Sequence, residues 1–180
     1  MKLNKKEIKD KILPFLEKSV FEFLNTHKNE SFYSFAIGAS GNDSCHIFLY
    51  LSTEEYFQEL LEDEDEEFKN DEQDVYEYRY SVADWKYPEF SELEILNHDK
   101  LEEFYKSFNL EENAIDYNKC YEHILELYCE CLIDFESTET YKKIPKTDDF
   151  KNICSEHDGF IKDFENRMNK VRERLSSNYR

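Results

Sequence analysis

Apolar side chains recur at helical spacing in three long segments of the chain. Residues 5–27, 118–136 and 161–175 place apolar residues three or four positions apart, which brings them to one face of a helix. The stripes consist of Ile8, Ile12, Phe15, Leu16, Phe23 and Leu24, then Tyr121, Ile124, Leu125, Tyr128, Leu132 and Phe135, and finally Ile161, Phe164, Met168, Val171 and Leu175. Each segment is therefore predicted to form a helix with one buried face.

Strand-like segments lie between these helices. Residues 32–39 and 45–51 are rich in β-formers and are separated by turn formers at residues 40–43, which predicts a hairpin of two central strands. Residues 75–80 alternate cleanly, with three tyrosines on one face, and predict a third strand. Residues 150–155 predict a fourth, short strand.

Two further segments carry signals for the start of a helix. Ser52 followed by Glu55 fits a capping box, so a short helix is predicted after it. This helix runs into consecutive acids at residues 62–67, where like-charge repulsion predicts an exposed acidic loop. A second signal, Ser91 with Glu94, predicts that another helix follows.

These elements predict the class and the size of the fold. With 180 residues, of which 39% are hydrophobic, the chain can close one hydrophobic core, so residues 1–180 are predicted to form a single domain. Only three glycines and three prolines are present, which favours long regular elements. The predicted fold is α+β, a small and mostly antiparallel sheet of three to four strands covered by helices.

Charge is the strongest compositional feature. The chain has 23 Lys and Arg against 42 Asp and Glu, a net charge of −19. Residues 54–77 hold thirteen acids and one lysine, a net of −12, and we call this segment the acidic band. Such a field repels nucleic acid and anionic membranes and favours a basic protein. We therefore expect a basic protein partner, without direct nucleic-acid or membrane binding.

The acidic band supplies the candidate interaction residues. They are Asp63, Asp65, Glu66 and Glu67 as charged contacts, with the neighbouring Phe68 and Tyr76 as apolar anchors. Because charge runs are usually solvated faces, the alternative is that the band is only a hydrated spacer.

Standard catalytic and nucleotide-binding motifs are absent from the sequence. Three glycines cannot supply a phosphate-binding loop or a dinucleotide fingerprint, and neither GxSxG nor HExxH occurs. Ser40, Asp43 and His46 are close in sequence, but a hairpin tip offers no pocket for a catalytic triad. No cofactor is therefore expected.

The cysteines predict reduced thiols. They are odd in number and scattered through the chain, at Cys45, Cys120, Cys129, Cys131 and Cys154. Cys120 with His123 could suggest a zinc site, but the available ligands lie on different helix faces, and the acidic run lacks the spacing of a calcium loop. With no apolar signal region and no run of about 18 apolar residues, these features predict a cytoplasmic protein without a metal.

Two segments are similar to a known family. FYSFAIG, from Phe32 to Gly38, and YRYSVADWKY, from Tyr78 to Tyr87, resemble paired segments of an uncharacterised, mostly bacterial family, domain of unknown function 4303. Tyr80 and Val82 stand where members often have Trp and Pro. The resemblance implies an α+β fold, supplies no active site and hints at bacterial toxin-immunity neighbourhoods. The family-like motif comprises Tyr78, Arg79, Tyr80, Asp84 and Trp85.

Arg79 is the most informative residue of this motif. Its guanidinium is expected to stack on an aromatic ring or to pair with Asp84, which favours a structural role over a ligand-binding one. Three functions remain open: a non-catalytic module that neutralises a basic partner, a small enzyme with a Tyr/Arg/Asp pocket near residues 78–85, and a DNA mimic. The first is preferred because charge is the dominant signal.

We predict that the thiols are reduced and bind no metal. Their odd number and their spacing give no complete set of zinc ligands. Elemental analysis of freshly purified protein should therefore find zinc far below one equivalent, and stoichiometric zinc would overturn the prediction.

Overall fold

A four-stranded sheet with helices on both faces is the framework of the protein. The computed structural model describes residues 5–39, 46–96, 99–100, 102–103, 117–156 and 159–177. The helices are α1 (Lys5–Thr26), α2 (Glu54–Glu62), α3 (Glu66–Lys69), α4 (Glu72–Arg79), α5 (Tyr117–Glu136), α6 (Glu139–Lys142) and α7 (Ile161–Ser177), and the strands are β1 (Phe32–Ala39), β2 (His46–Thr53), β3 (Tyr87–Glu94) and β4 (Lys146–Ser155). A 3-10 turn covers Val82–Asp84. Among these residues, no helix combines the length and apolar character needed to cross a bilayer.

The strands lie in the order β3-β2-β1-β4. β2 is antiparallel to both β1 and β3, whereas β4 is parallel to β1. At the centre of the sheet, Ile37 faces Leu49 of β2 on one side and Cys154 of β4 on the other. This arrangement confirms the predicted α+β class and the mostly antiparallel sheet.

β1 lies between β2 and β4, and it is buried on both faces because helices cover both sides of the sheet. Phe35 and Ile37 belong to the larger core, which includes residues of α1 and α5, and the ring of Phe35 lies 5.7 Å from that of Phe135. Tyr33 and Ala36 belong to a second core on the opposite face, with side chains from α2 and from the end of α4. All eight residues of β1 are buried, which confirms the sequence-based prediction of a central strand.

The strand predicted at residues 75–80 is wrong, because this segment lies in α4. Asp71 caps the helix, and its carboxylate accepts hydrogen bonds from two backbone N–H groups of the first turn. Tyr76 and Tyr80 are one helical turn apart, with ring centroids 5.1 Å apart, and both face the sheet. Tyr78 packs instead against aromatic rings of α2 and α3. Alternating tyrosines therefore suit a helix that packs on two sides as well as they suit a strand.

The helix predicted to open at Ser91 is wrong at its start, because residues 87–94 form β3. Ser91 and Leu93 are half-buried while the glutamate after each is exposed, and the hydroxyl of Ser91 lies 2.8 Å from that of Ser19 on α1. Two extra residues in β3 opposite β2, around Pro88–Phe90, interrupt the alternation earlier in the strand. The sequence pattern was obscured by this bulge.

Several predictions fall on residues that the structure does not describe. They are the turn at residues 40–43, Cys45 and most of the part of the helix predicted from Ser91 that lies beyond residue 96. The catalytic triad that the sequence analysis rejected includes two residues of the same hairpin turn. The described residues therefore do not test these predictions.

The caps of α2 and α3 refine the prediction for the acidic run. Thr53, one residue later than expected, caps α2 through its hydroxyl, whereas Ser52 is buried and accepts a hydrogen bond from the backbone that leads into β3. Asp65 then caps α3, which begins at Glu66. The acidic run therefore covers the end of α2, a turn at residues 63–65 and the start of α3, rather than one continuous loop.

Glutamates of α5 are bound by basic side chains from α1 and α7. Lys170 donates to Glu126 at 2.7 Å, and Arg174 contacts both Glu126 and Glu130. Lys9 reaches Glu130 from α1 at 3.4 Å. Further pairs join Arg167 to Glu122 and Glu156, Arg172 to Glu136, and Lys9 to Asp134. Each of the five acids of α5 therefore has a cationic partner on α1 or α7.

Candidate functional site

The acidic band forms α2, α3 and α4 on one face of the sheet. Ten of its thirteen acids are exposed, namely Glu55, Glu59, Glu62, Asp63, Asp65, Glu66, Glu67, Asp71, Glu72 and Asp74. The four acids proposed as charged contacts from the sequence are among them, and they lie together at the turn from α2 to α3. The band is therefore accessible to a partner.

Helix N-termini accommodate part of the band's charge. Asp65 and Asp71 are N-caps whose carboxylates accept hydrogen bonds from backbone N–H groups. The first turns also contain Glu54, Glu55, Glu66, Glu67, Glu72 and Asp74. Because the partial positive charge of a helix N-terminus stabilises nearby carboxylates, three closely spaced N-termini tolerate this density of acids.

Few basic side chains neutralise the band. Glu66 lies 3.7 Å from Lys69, and Glu54 pairs with Arg79. Within the described part of the chain, no other basic side chain forms an ion pair with a carboxylate of the band. Every acid of α5 has a cationic partner, whereas most acids of the band have none among the described residues. Unbalanced negative charge is therefore concentrated on the α2–α4 face.

The two proposed apolar anchors are partly buried against the rest of the protein. Phe68 is half-buried and lies edge-on to the ring of Tyr78 at 5.5 Å. The hydroxyl of Tyr76 donates to the carboxylate of Glu165 at 2.6 Å and accepts from the ammonium of Lys151 at 2.6 Å. Both residues therefore hold α3 and α4 in place while keeping part of their surface at the band.

Arg79 ties α4 to α2 and β4. Its guanidinium donates to both carboxylate oxygens of Glu54, at 2.5 and 3.1 Å, and to Asp149 at 2.9 Å. The same group lies 4.2 Å from the ring centroid of Tyr33 and 4.9 Å from that of Phe57. Only 13% of the side chain is exposed, so the guanidinium is committed to contacts within the protein.

The backbone of Arg79 is held as firmly as its side chain. Its carbonyl accepts hydrogen bonds from the hydroxyl of Tyr33 at 2.7 Å and from the indole N–H of Trp85 at 3.1 Å. The stacking predicted for Arg79 is observed, but Asp84 is not its partner and instead accepts from the hydroxyl of Ser81 at 2.7 Å. These contacts are those of a structural residue that fixes the chain after α4.

The family-like segments meet at a cleft of 720 Å³. Gly38 and Ala39 contribute the end of β1, and residues 77–78 and 80–84 contribute the end of α4 with the 3-10 turn. The end of β4, the start of β3, the start of α7 and two aromatic residues of β2 complete the walls. We call this space the terminal cleft, because the ends of separate elements form it.

Two glycines allow aromatic rings to line the terminal cleft. A Cβ atom on Gly38 would lie 2.6 Å from the ring of Tyr50, and one on Gly159 would lie 2.4 Å from the ring of Phe164. Both distances are shorter than a carbon–carbon contact allows, so a larger residue would displace the ring. Glycine at these positions therefore shapes the cleft.

Glu89 occupies a strained position beside Tyr50. Its φ angle of 48° is in the left-handed region, which a side chain other than glycine rarely adopts. The bulge of β3 imposes this conformation and brings the carboxylate to the cleft, where it accepts a hydrogen bond from the hydroxyl of Tyr50 at 3.3 Å.

The tyrosines of the terminal cleft are neutral hydrogen-bond donors at physiological pH. Burial raises the pKa of Tyr50, and the carboxylate of Glu89 raises it further. Burial and the nearby Asp84 likewise raise the pKa of Tyr78. Neither phenol is therefore available as a general base near neutrality.

Four cysteines are buried in the larger core or at its edge. Cys120 is buried, as are Cys129, Cys131 and Cys154, which are free thiols, and burial raises the pKa of Cys131 to about 12. A hydrogen bond with Cys154 raises the pKa of Cys129, so the thiols of Cys129 and Cys131 are protonated at neutral pH. Across the described ranges, no group of three or more His, Cys, Asp or Glu residues could hold a metal ion.

The sequence analysis missed the terminal cleft as a site. Its walls come from residues far apart in the chain, such as Phe48, Glu89 and Phe160, and no local pattern connects them. One signal was available: the two segments that carry the family resemblance both contribute lining residues to the cleft. The sequence did identify Tyr78 and Asp84 there, but as part of a pocket centred on Arg79.

Replacing Arg79 with Met tests its structural role. The variant keeps an unbranched stem over the rings but removes the cation shared by Glu54 and Asp149. We expect the free energy of unfolding in urea at neutral pH to fall by about 2 kcal/mol. Arg172→Met, which removes a more exposed pair with Glu136, serves as the control and should cost less than about 1 kcal/mol.

The pH dependence of these variants gives a second readout. The hydrogen bonds from Arg79 lower the pKa of Glu54, and the hydroxyl of Thr147 together with Arg79 lowers that of Asp149. A carboxyl with a depressed folded-state pKa loses its stabilising effect as the pH falls through that value. The difference between wild type and Arg79→Met should therefore shrink below about pH 4. A constant difference across this range would contradict the role of the ion pairs.

Comparison with known proteins was informative at the level of the family only. The family described as Domain of unknown function (DUF4303) matches residues 12–171, a range that contains both family-like segments and most of the chain. No curated protein and no solved structure matches the chain. The match confirms the resemblance seen in the sequence, and the chain therefore belongs to the family described as Domain of unknown function (DUF4303).

Proposed function

We propose that this protein is a non-catalytic binding module whose acidic band docks a basic protein partner. In the form suggested by the family resemblance, the partner is a bacterial toxin that the module neutralises. The charged contacts are then Asp63, Asp65, Glu66 and Glu67, at the exposed turn between α2 and α3.

The observation that carries this proposal is the uneven pairing of charge. All five acids of α5 have basic partners from α1 or α7, whereas most acids of the band have none among the described residues. A protein that needed only solubility could spread its acids over the surface. Concentrated negative charge on one face attracts a basic protein and orients it during approach.

The arrangement of Arg79 favours a binding module over the small-enzyme alternative. An enzyme that used this arginine would need its guanidinium free to contact a substrate. Instead, two carboxylates and two aromatic rings occupy it, and little of the side chain is exposed. The DNA-mimic alternative gains no support from a specific contact.

A pull-down from the native host tests the proposal. The band variant changes Asp63, Asp65, Glu66 and Glu67 to Asn or Gln. The amide at position 65 can still cap α3, so the local fold is kept. The control variant changes four exposed acids elsewhere to the corresponding amides, namely Asp10, Glu22, Glu139 and Glu173. The two variants have the same net charge but lose charge at different places.

We expect wild type and the control to capture the same basic protein, which the band variant retains at least about tenfold less well at low salt. Binding to wild type should weaken as ionic strength rises, because the attraction is screened over a Debye length of about 8 Å at physiological salt. If wild type and the band variant capture the same partners with the same salt dependence, the band is not the docking surface.

A further inference from the structure

The terminal cleft is lined by aromatic rings. The rings belong to Phe48, Tyr50, Tyr78, Tyr80, Phe160 and Phe164. Phe160 is 64% exposed, although most large apolar side chains in the described chain are buried. An exposed aromatic residue next to a concave space is a common anchor for a partner molecule. The cleft can therefore receive a group with an apolar surface.

Carboxylates accompany these rings. Glu77, Asp84, Glu89 and Glu156 line the cleft, and none of its described lining residues is basic. Arg167 pairs with Glu156 from outside the cleft at 2.7 Å. The other three carboxylates form no ion pair with a described residue, so the cleft retains a negative charge.

Neutral donors hold these three carboxylates in place. Glu77 accepts from the amide of Gln73 at 2.6 Å, as Asp84 and Glu89 accept from the hydroxyls described above. One such bond leaves most of the acceptor capacity of a carboxylate unused. A cation that enters the cleft would meet oriented oxygens beside the faces of aromatic rings.

The terminal cleft adjoins the acidic band. Glu77 is the last acid of the band and also a lining residue of the cleft. A basic partner drawn to the band is therefore brought to the mouth of the cleft. The carboxylates of the cleft repel an anionic ligand, and a neutral polar ligand makes no charge-assisted hydrogen bond with them, so these occupants are less favourable.

We propose that the terminal cleft receives an arginine side chain of the basic partner. The planar guanidinium can stack on an aromatic face while donating two hydrogen bonds to one carboxylate, and the aliphatic stem packs against the remaining rings. A lysine ammonium is more strongly hydrated and makes no such paired contact. This assignment rests on the proposed docking of a basic protein and identifies the residue that anchors it.

An NMR titration with two tripeptides tests the assignment. The probe is N-acetyl-Gly-Arg-Gly-amide, and the matched control is the same peptide with citrulline, which keeps the shape of arginine but has no charge. The arginine peptide should shift the side-chain resonances of Tyr50, Tyr78 and Phe160. Because it loses the charge-assisted bonds, the citrulline peptide should bind at least about tenfold more weakly. Equal binding of the two peptides, or shifts outside the cleft only, would overturn the assignment.

Protein variants separate this assignment from the proposed function. Asp84→Asn with Glu89→Gln keeps the acceptors for Ser81 and Tyr50 but removes two charges, and should weaken binding of the arginine peptide at least about fivefold. Glu173→Gln, on exposed surface of α7, should leave it unchanged. A double variant that binds the peptide as well as wild type does would contradict the cleft as the site.

The band variant distinguishes failure of the two proposals. Because the tripeptide is too short to span the band, the band variant should bind it within about threefold of wild type, the remaining change reflecting long-range attraction. If the tripeptide fails to bind while the band still captures a basic protein, the cleft assignment is wrong and the docking proposal stands. Tripeptide binding without any band-dependent capture supports the cleft and contradicts the docking surface.

Discussion

The pairing of α5 acids with cations from α1 and α7 is the constraint on which the rest of the charge distribution depends. The chain has far fewer basic than acidic residues, so cations used on one face are missing from the other. Arg174 and Lys170 neutralise Glu126, and the pKa of this carboxyl is lowered because these hydrogen bonds outweigh the effect of burial. Most acids of the α2–α4 face are left without a basic partner among the described residues, and helix N-termini stabilise part of this charge.

Arg79 pairs with one acid of the acidic band and with one acid of β4. It is the basic residue that α4 contributes near the band, and Glu54 and Asp149 both use it. Its carbonyl, held by Tyr33 and Trp85, fixes the direction in which the chain leaves α4 toward the 3-10 turn. That turn forms a wall of the terminal cleft, so the cluster shapes the cleft without contributing its cation to it.

How much the sequence could predict depended on whether an element packs on one side or on several. The stripe at residues 5–27 predicted α1 because one face of that helix is buried, and the continuous apolar run at residues 32–39 predicted a strand buried on both faces. Tyr78 points away from Tyr76 and Tyr80, so α4 imitated a strand. The bulge at Glu89 interrupts the alternation of buried and exposed residues in β3, so the sequence pattern did not predict this strand. The basic residues of α1 and α7 are visible in the sequence, but their pairing with α5 required the tertiary structure, as did the terminal cleft.

The central claim is that unbalanced negative charge lies on α2–α4 and not on α5 and α7. An amide chemical-shift map with a nonaarginine peptide measures this most directly, because the peptide reports where cations gather without requiring the native partner. Perturbations should centre on residues 54–79 and on the lining of the terminal cleft at low salt and should decline strongly by about 150 mM salt. Perturbations centred on α5 and on residues 165–177 of α7, or spread evenly over the surface, would contradict this distribution of charge.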